Sequence, residues 1–264
     1  MAIIHHSAII ADTAIIHPTV QIGPYCIIDQ DVAIGAGCVL DSNVRVYSET
    51  TLGTNNRICH GTTLGSEPQD LGFNTSKSKP LLIGNNNHFK ENVNISRGIK
   101  TPTGTCIGDH NYFMTFSHVG HDCIIGNHNI FANTATLAGH VELADHVFVS
   151  GQVAIHQFCH IGSYVMIAGL TGVSKDVPPY LLVNGQRAKM VGLNTIGLRR
   201  NGFSAPQRQA IKQAYNILYR SRLPQTAALA QLRLHQDNPH IKTIIDFVEH
   251  SHRGLVAHIL DSRT

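Results

Sequence analysis

An apolar residue recurs at every sixth position over most of the first 173 residues. Ile4, Ile10, Ile16, Ile22, Ile28, Ile34, Leu40, Val46, Leu52, Ile58 and Leu64 are eleven consecutive anchors. After a break from about Ser66 to Leu82 the series resumes at Ile83, Phe89 and Ile95, skips Thr101, and runs from Ile107 to Val173. The residue after the anchor is often glycine, as at Gly23, Gly35, Gly84 and Gly126, and the one four places on is usually small. Each hexapeptide therefore reads as a short strand and a corner. Period-two alternation points the anchor and the small residue inward together. The second and third residues after the anchor, rich in Asn, Asp and Gly, make the corner because those types tolerate unusual backbone angles.

Hexapeptide repeats of this form resemble the left-handed parallel β-helix, in which three hexapeptides close one triangular coil of 18 residues. The handedness comes with the resemblance, because parallel crossovers are otherwise right-handed. Twenty-six anchors imply about nine coils stacked at roughly 4.8 Å, a prism about 40 Å long. The expected fold class is all-β plus α: a left-handed parallel β-helix over residues 1–186, with an external loop at about 66–82, and a C-terminal helical domain over 187–264. In that second part, Ser204 with Gln207 reads as a capping box opening a helix to about Ser221. A second helix is expected over Gln225 to His235. Asn238 and Pro239 read as the N-cap and first position of a third, ending before Gly254.

Composition narrows the class. Charged residues are 14% and aromatics 6%, too few charges for a disordered chain or a coiled coil. No run of 18 apolar residues is present, and the first residues lack the basic segment of a secretory signal, so a cytoplasmic protein without stable membrane insertion is expected. The six cysteines form no CxxC pair. Cys26, Cys38, Cys123 and Cys159 fall at the inward small position, where a thiol packs as a small hydrophobe. Charge is divided unevenly: residues 1–186 hold 8 Lys and Arg against 13 Asp and Glu, hence −5, whereas 187–264 hold 12 against 4, hence +8. A basic segment on an acidic body is either a docking surface for an acidic partner or a solvated helical face.

Histidine is abundant, 18 against 20 Lys plus Arg. Positions 18 apart stack on neighbouring coils, and from Ile107 onward the register is unbroken. His121, Gly139 and Gln157 then share a column, beside Asp122 with His140 and Ala138 with His156, with His118 one strand step away. A neutral imidazole beside a carboxylate is the usual arrangement of a general base. No serine or cysteine accompanies it in a nucleophile motif, which points to direct transfer to a deprotonated hydroxyl or amine. His110, His128 and His146 form a second column with Asp109, Asn127 and Asp145 beside them, which reads as a repeated corner or as a metal site.

The stretches SHVGHDC, ANTATLAGHV, AIHQFCHIG, DVPPY and NTIGLRRNGFS, in this order, closely resemble the UDP-N-acetylglucosamine acyltransferase family, which opens lipid A synthesis with acyl carrier protein as donor. The resemblance implies transfer of a 3-hydroxyacyl chain to the 3-position of the UDP-sugar, with no cofactor, no metal and no nucleic-acid partner. It makes His121 the general base, Asp122 its orienting partner, and the N–H of Gly139 the donor to the developing oxyanion. His118 and His140 would line the site. His156, Gln157, Asn194 and Arg200 match positions around the nucleotide and acyl-donor pocket, and Gly169 matches the position that measures acyl length. The family is a homotrimer with sites in the clefts between subunits, and the +8 segment suits an acidic carrier protein.

Three positions depart from the family pattern. Gly72 stands where a lysine usually follows QDL, Ile196 where a glutamate is common, and Asn201 replaces the second of an arginine pair. The first bears on sugar-nucleotide binding and admits an alternative acceptor, the 3-amino analogue of the UDP-sugar. A competing class is the γ-type carbonic anhydrase, a hydratase that holds zinc on β-helix corners, for which His110, His128 and His146 are the best argument.

Overall fold

The computed structural model describes residues 2–259. Through Asn184 the chain winds as a parallel β-solenoid in which successive short strands fall on three sheets in turn. The described residues build sheets of eleven, nine and eight strands. Pairing is in register, Ile4 on Ile22, Ile22 on Leu40 and Leu40 on Ile58. The anchors point inward as the periodicity requires: Ile22, Leu40, Leu64, Val119 and Val173 are each no more than 3% exposed. Cys26, Cys38, Cys123 and Cys159 join that core.

Two excursions leave the prism without disturbing its stacking. The first, residues 67–80, lies between strands Thr63–Ser66 and Leu81–Ile83, where the break in the repeat falls, and Ile58 pairs directly with Phe89. The second, residues 97–104, is what the skipped anchor at Thr101 stands for; Phe89 then pairs with Phe113. Inside, Phe89, Phe113 and Phe131 stack with ring centroids 4.8 and 4.5 Å apart.

The corners expose backbone groups that need partners. At one edge the inward position after the corner holds asparagine instead of a small apolar residue. The Asn87 N–H donates to Asn56 Oδ1 at 2.9 Å, Asn111 N–H to Asn87 Oδ1 at 2.8 Å, and Asn129 N–H to Asn111 Oδ1 at 2.9 Å. At most corners the third residue after the anchor adopts the left-handed conformation, with φ of 55° at Asn43, 57° at Asp122, 60° at His140 and 64° at Phe158. Asparagine bears this conformation well, bulkier residues less so. On the later coils stacking offsets the strain: the rings of His110, His128, His146 and Tyr164 lie 4.7–4.8 Å apart and within 6° of parallel.

The six-residue spacing ends at Val173, but the prism continues past Pro178. Leu181–Asn184 pairs in parallel with Met166–Ile167, and Lys189–Leu193 folds back on it antiparallel. Pro178 and Pro179 change the spacing yet leave Leu181 and Val183 buried, so the sheet gains one more coil. Position 186 lies in the turn of that hairpin. The described residues beyond it form helices α1 (Thr195–Arg200), α2 (Ala205–Arg220), α3 (Gln225–Arg233) and α4 (Pro239–Glu249). The Ser204–Gln207 capping box opens α2, and Asn238 Oδ1 caps α4. The six-residue α1, too short to show a pattern, is unforeseen. Among the described residues no helix is long and apolar enough to cross a membrane.

Asp176, 1% exposed, clasps the helical part to the last coil. Its Oδ1 accepts the His160 N–H at 2.8 Å; its Oδ2 accepts Ser251 Oγ–H at 2.6 Å and the N–H groups of His252 and Arg253 at 3.1 Å. Asp176→Ala leaves those donors unsatisfied and should cost about 2–3 kcal/mol. Hydrogen exchange will show protection lost around residues 251–256 and kept in the coils; unchanged protection at 251–256 would refute the clasp.

Candidate active site

The outer edge between two sheets brings His118, His121, Asp122, Gly139 and His140 together. Asp122 and His140 occupy the same corner on consecutive coils, and His140 N–H donates to His121 O at 2.9 Å. His121 Nδ1 lies 2.8 Å from Asp122 Oδ2. The Asp122 side chain is fully buried, and it is unusually well supplied with donors. Thr101 Oγ–H and Thr101 N–H reach Oδ1 at 2.7 Å, Lys100 N–H at 3.0 Å, and Ile99 N–H stands 3.2 Å from both oxygens. Burial alone would push this carboxyl up; the hydrogen bonds from His121, Thr101 and the loop amides outweigh it and hold it down at about 2.

An ionised Asp122 can only accept, so the proton of the shared bond sits on His121 Nδ1 and leaves Nε2 with a free lone pair. That nitrogen lies over Gly139, where a Cβ would come 2.6 Å from it, so any side chain would collide with the imidazole. The neighbouring histidines are kept neutral. Burial pushes His118 and His140 below the ordinary imidazole value. His118 Nδ1 is 2.7 Å from Asn94 Oδ1, and His140 meets the His121 ring edge-on at 5.1 Å while stacking on Phe158 at 4.6 Å.

The other expected residues lie farther off within one chain. His156 and Gln157 are one coil on at the same edge, both exposed, with His156 Nδ1 3.1 Å from Gln157 O. Gly169 stands at a different edge, near Gly151 O. Asn194 caps α1, accepting the Gly197 N–H at 3.0 Å and donating to Tyr164 O at 2.9 Å, and Arg200 is exposed at the end of that helix. A groove of about 790 Å³ runs up the face of His118, floored by Thr136, Ala138 and Ala154 and edged by His156, Arg187 and Lys189.

Thr101, Asn94 and Phe158 were not singled out in the sequence. Their signals were the skipped anchor, the cross-strand partner of His118 and the aromatic within AIHQFCHIG. Among the described residues, His121, Asp122 and His140 are the group whose ligand-capable atoms converge, within 4.8 Å of one another. Asp122 Oδ1 is already occupied by four donors and Oδ2 by His121, so the set suits a base with its orienting carboxylate. The parallel rings of His110, His128 and His146 do not converge, and the zinc hydratase reading has no geometric support.

Comparison with known proteins agrees with the motifs. Residues 176–256 match the family described as UDP N-acetylglucosamine O-acyltransferase, domain 2, and residues 104–139 match the bacterial transferase hexapeptide repeats. The acyl-[acyl-carrier-protein]--UDP-N-acetylglucosamine O-acyltransferase of Herminiimonas arsenicoxydans is 42% identical over 182 residues, 67% of this chain and 70% of that protein. The UDP-N-acetylglucosamine acyltransferase of Francisella novicida superposes with a TM-score of 0.95 at 34% identity, covering 98% of this chain and 95% of that one. The LpxA structure from Acinetobacter baumannii gives 0.93 at 43% identity, covering 96% and 99%.

A carboxyl held below its ordinary value of 3.8 contributes stability that is fully present above that value and is lost as the pH falls through about 2. Thermal melts between pH 6 and pH 2 should therefore show the advantage of the native protein over Asp122→Asn shrinking below about pH 4. A gap that stays constant with pH would mean that Asp122 is not held ionised by this nest.

Proposed function

The chain belongs to the UDP-N-acetylglucosamine O-acyltransferase family, and from that membership we propose that it transfers a 3-hydroxyacyl chain from acyl carrier protein to the 3-position of UDP-N-acetylglucosamine with His121 as general base. The observation that carries this reading is the 2.8 Å bond between His121 Nδ1 and Asp122 Oδ2, which leaves Nε2 basic over Gly139. His121 Nε2 takes the proton of the sugar hydroxyl as its oxygen attacks the thioester carbonyl. Asp122 stabilises the imidazolium as it forms. The Gly139 N–H, which no protein group accepts among the described residues, donates to the developing oxyanion. Collapse expels the carrier thiolate, which recovers the proton from the imidazolium.

No covalent acyl-enzyme is needed. Cys123, the nearest thiol in sequence, points into the core, and burial pushes it up to about 12, so it supplies no thiolate. The neutral His118 and His140 act as hydrogen-bonding groups that line the acceptor site. His156, Gln157, Asn194 and Arg200 hold the nucleotide and the donor arm, and Gly169, which leaves room for a long chain, measures acyl length. Asn194 and Gly169 stand at other edges of the prism than His121. A homotrimer that sets one copy's edge against another's gathers them into one cleft. The half-buried stripe of Ile130, Phe148 and Met166 on an outer face supports such a contact. The carrier protein docks on the basic segment 187–264.

A second reading has the 3-amino analogue as acceptor. Gly72 is exposed, with only Asp70 Oδ1 3.3 Å from where its Cβ would stand, so a lysine there would not be excluded by space. Acyl-transfer assays with a panel of 3-hydroxyacyl carrier proteins and both acceptors decide between the two; turnover of the hydroxy sugar alone rules out the second reading. His121→Ala should lose about 10²–10⁴ in rate with the assembly intact. Substantial retained activity would remove His121 as the base.

A further inference from the structure

The excursion at 97–104 adds residues to one coil and would serve no purpose in the prism itself, which stacks Phe89 on Phe113 across it without strain in the register. It is built closely. Lys79 and Gly98 bridge the two excursions, their N–H and C=O groups paired at 3.0 and 3.2 Å. Gly104, at φ +69°, lies so close to the Pro80 carbonyl that a Cβ would overlap it. Thr105 N–H donates to Pro80 O at 3.0 Å, and Thr105 Oγ1 accepts the Asp122 N–H at 2.9 Å. The packed loop thus aims the Lys100 and Thr101 amides and the Thr101 hydroxyl at Asp122 Oδ1, with the Ile99 N–H shared between the two oxygens.

We propose that Thr101 is a positioning residue for acyl transfer: its hydroxyl, with the 99–101 amides, locks the Asp122 carboxylate so that Oδ2 alone faces His121 Nδ1. The inference rests on the reading of His121 as the base. Asp122 sits on a tight left-handed corner, and its carboxylate could otherwise turn about two side-chain bonds. Four donors on Oδ1 remove that freedom. They also share the carboxylate's charge, so Asp122 orients the imidazole without gripping its proton too tightly. Thr101 supplies the one of these donors that belongs to a side chain, and so the one a substitution can delete while keeping the backbone.

Full-length Thr101→Val and Thr101→Ser, compared with the native protein and with His121→Ala, test the assignment. Removing the hydroxyl should lower kcat about tenfold while KM for carrier protein and UDP-sugar stays within about twofold, because positioning is lost and binding is not. With less of its charge shared, the carboxylate holds the His121 proton more tightly, so the acid limb of kcat/KM moves to higher pH. Serine, which keeps the hydroxyl, should restore both. If valine disturbs folding, Thr101→Ala against Thr101→Ser makes the same comparison. Native kcat and pH profile in Thr101→Val, or equal damage from serine and valine, would overturn the proposal. Activity surviving His121→Ala would instead overturn the base on which it rests.

Discussion

Everything in this molecule depends on the parallel pairing of each coil with the next in constant register. A residue's neighbours above and below are set by that pairing, not by its own side chain. Core positions therefore form apolar columns, Phe89 on Phe113 on Phe131 among them, and outward positions form columns that the core leaves free. Chemistry can be written on an outward column at little cost to the fold. His118, Thr136, Ala154 and Gly172 are consecutive partners on one face: one is a half-buried imidazole, and the rest are small enough to floor a groove. The excursions obey the same rule, since both leave at a corner and return to the register they left.

The fold was legible where a local rule repeats or a cap is explicit. Anchors every six residues foretell the sheets, and the Ser204–Gln207 and Asn238 caps foretell α2 and α4. The hairpin of Leu181–Asn184 and Lys189–Leu193 was not legible, because it follows no hexapeptide spacing and turns antiparallel. The sorting of histidines was legible only in part. His110 and His140 share the same left-handed corner position, so backbone geometry does not tell them apart. Their neighbours do: His110 meets another imidazole face to face, whereas His140 stands 3.8 Å from Asp122 Oδ2 and edge-on to His121. Stacking by 18 supplies the pairing with Asp122. It does not show that a skipped anchor hides the loop that holds Asp122 in place.

Asp122, His140, Phe158 and Asp176 share one corner column, and the two carboxylates at its ends show how one device serves two purposes. Each is buried, and each accepts backbone N–H groups and a hydroxyl from a segment outside the repeat, residues 99–101 for Asp122 and 251–253 for Asp176. Asp176 has both oxygens occupied, Oδ1 by His160 on the preceding coil and Oδ2 by the C-terminal segment, and so is a clasp. Asp122 receives its strong donors on one oxygen and turns the other to an imidazole. The difference in function follows from how the donors are distributed. A carboxylate saturated on both sides has nothing left to offer a reaction, whereas one saturated on a single side presents its remaining oxygen in a fixed direction. Between them His140 and Phe158 stack at 4.6 Å and fill the column, so that neither carboxylate shares its coil with the other's partners.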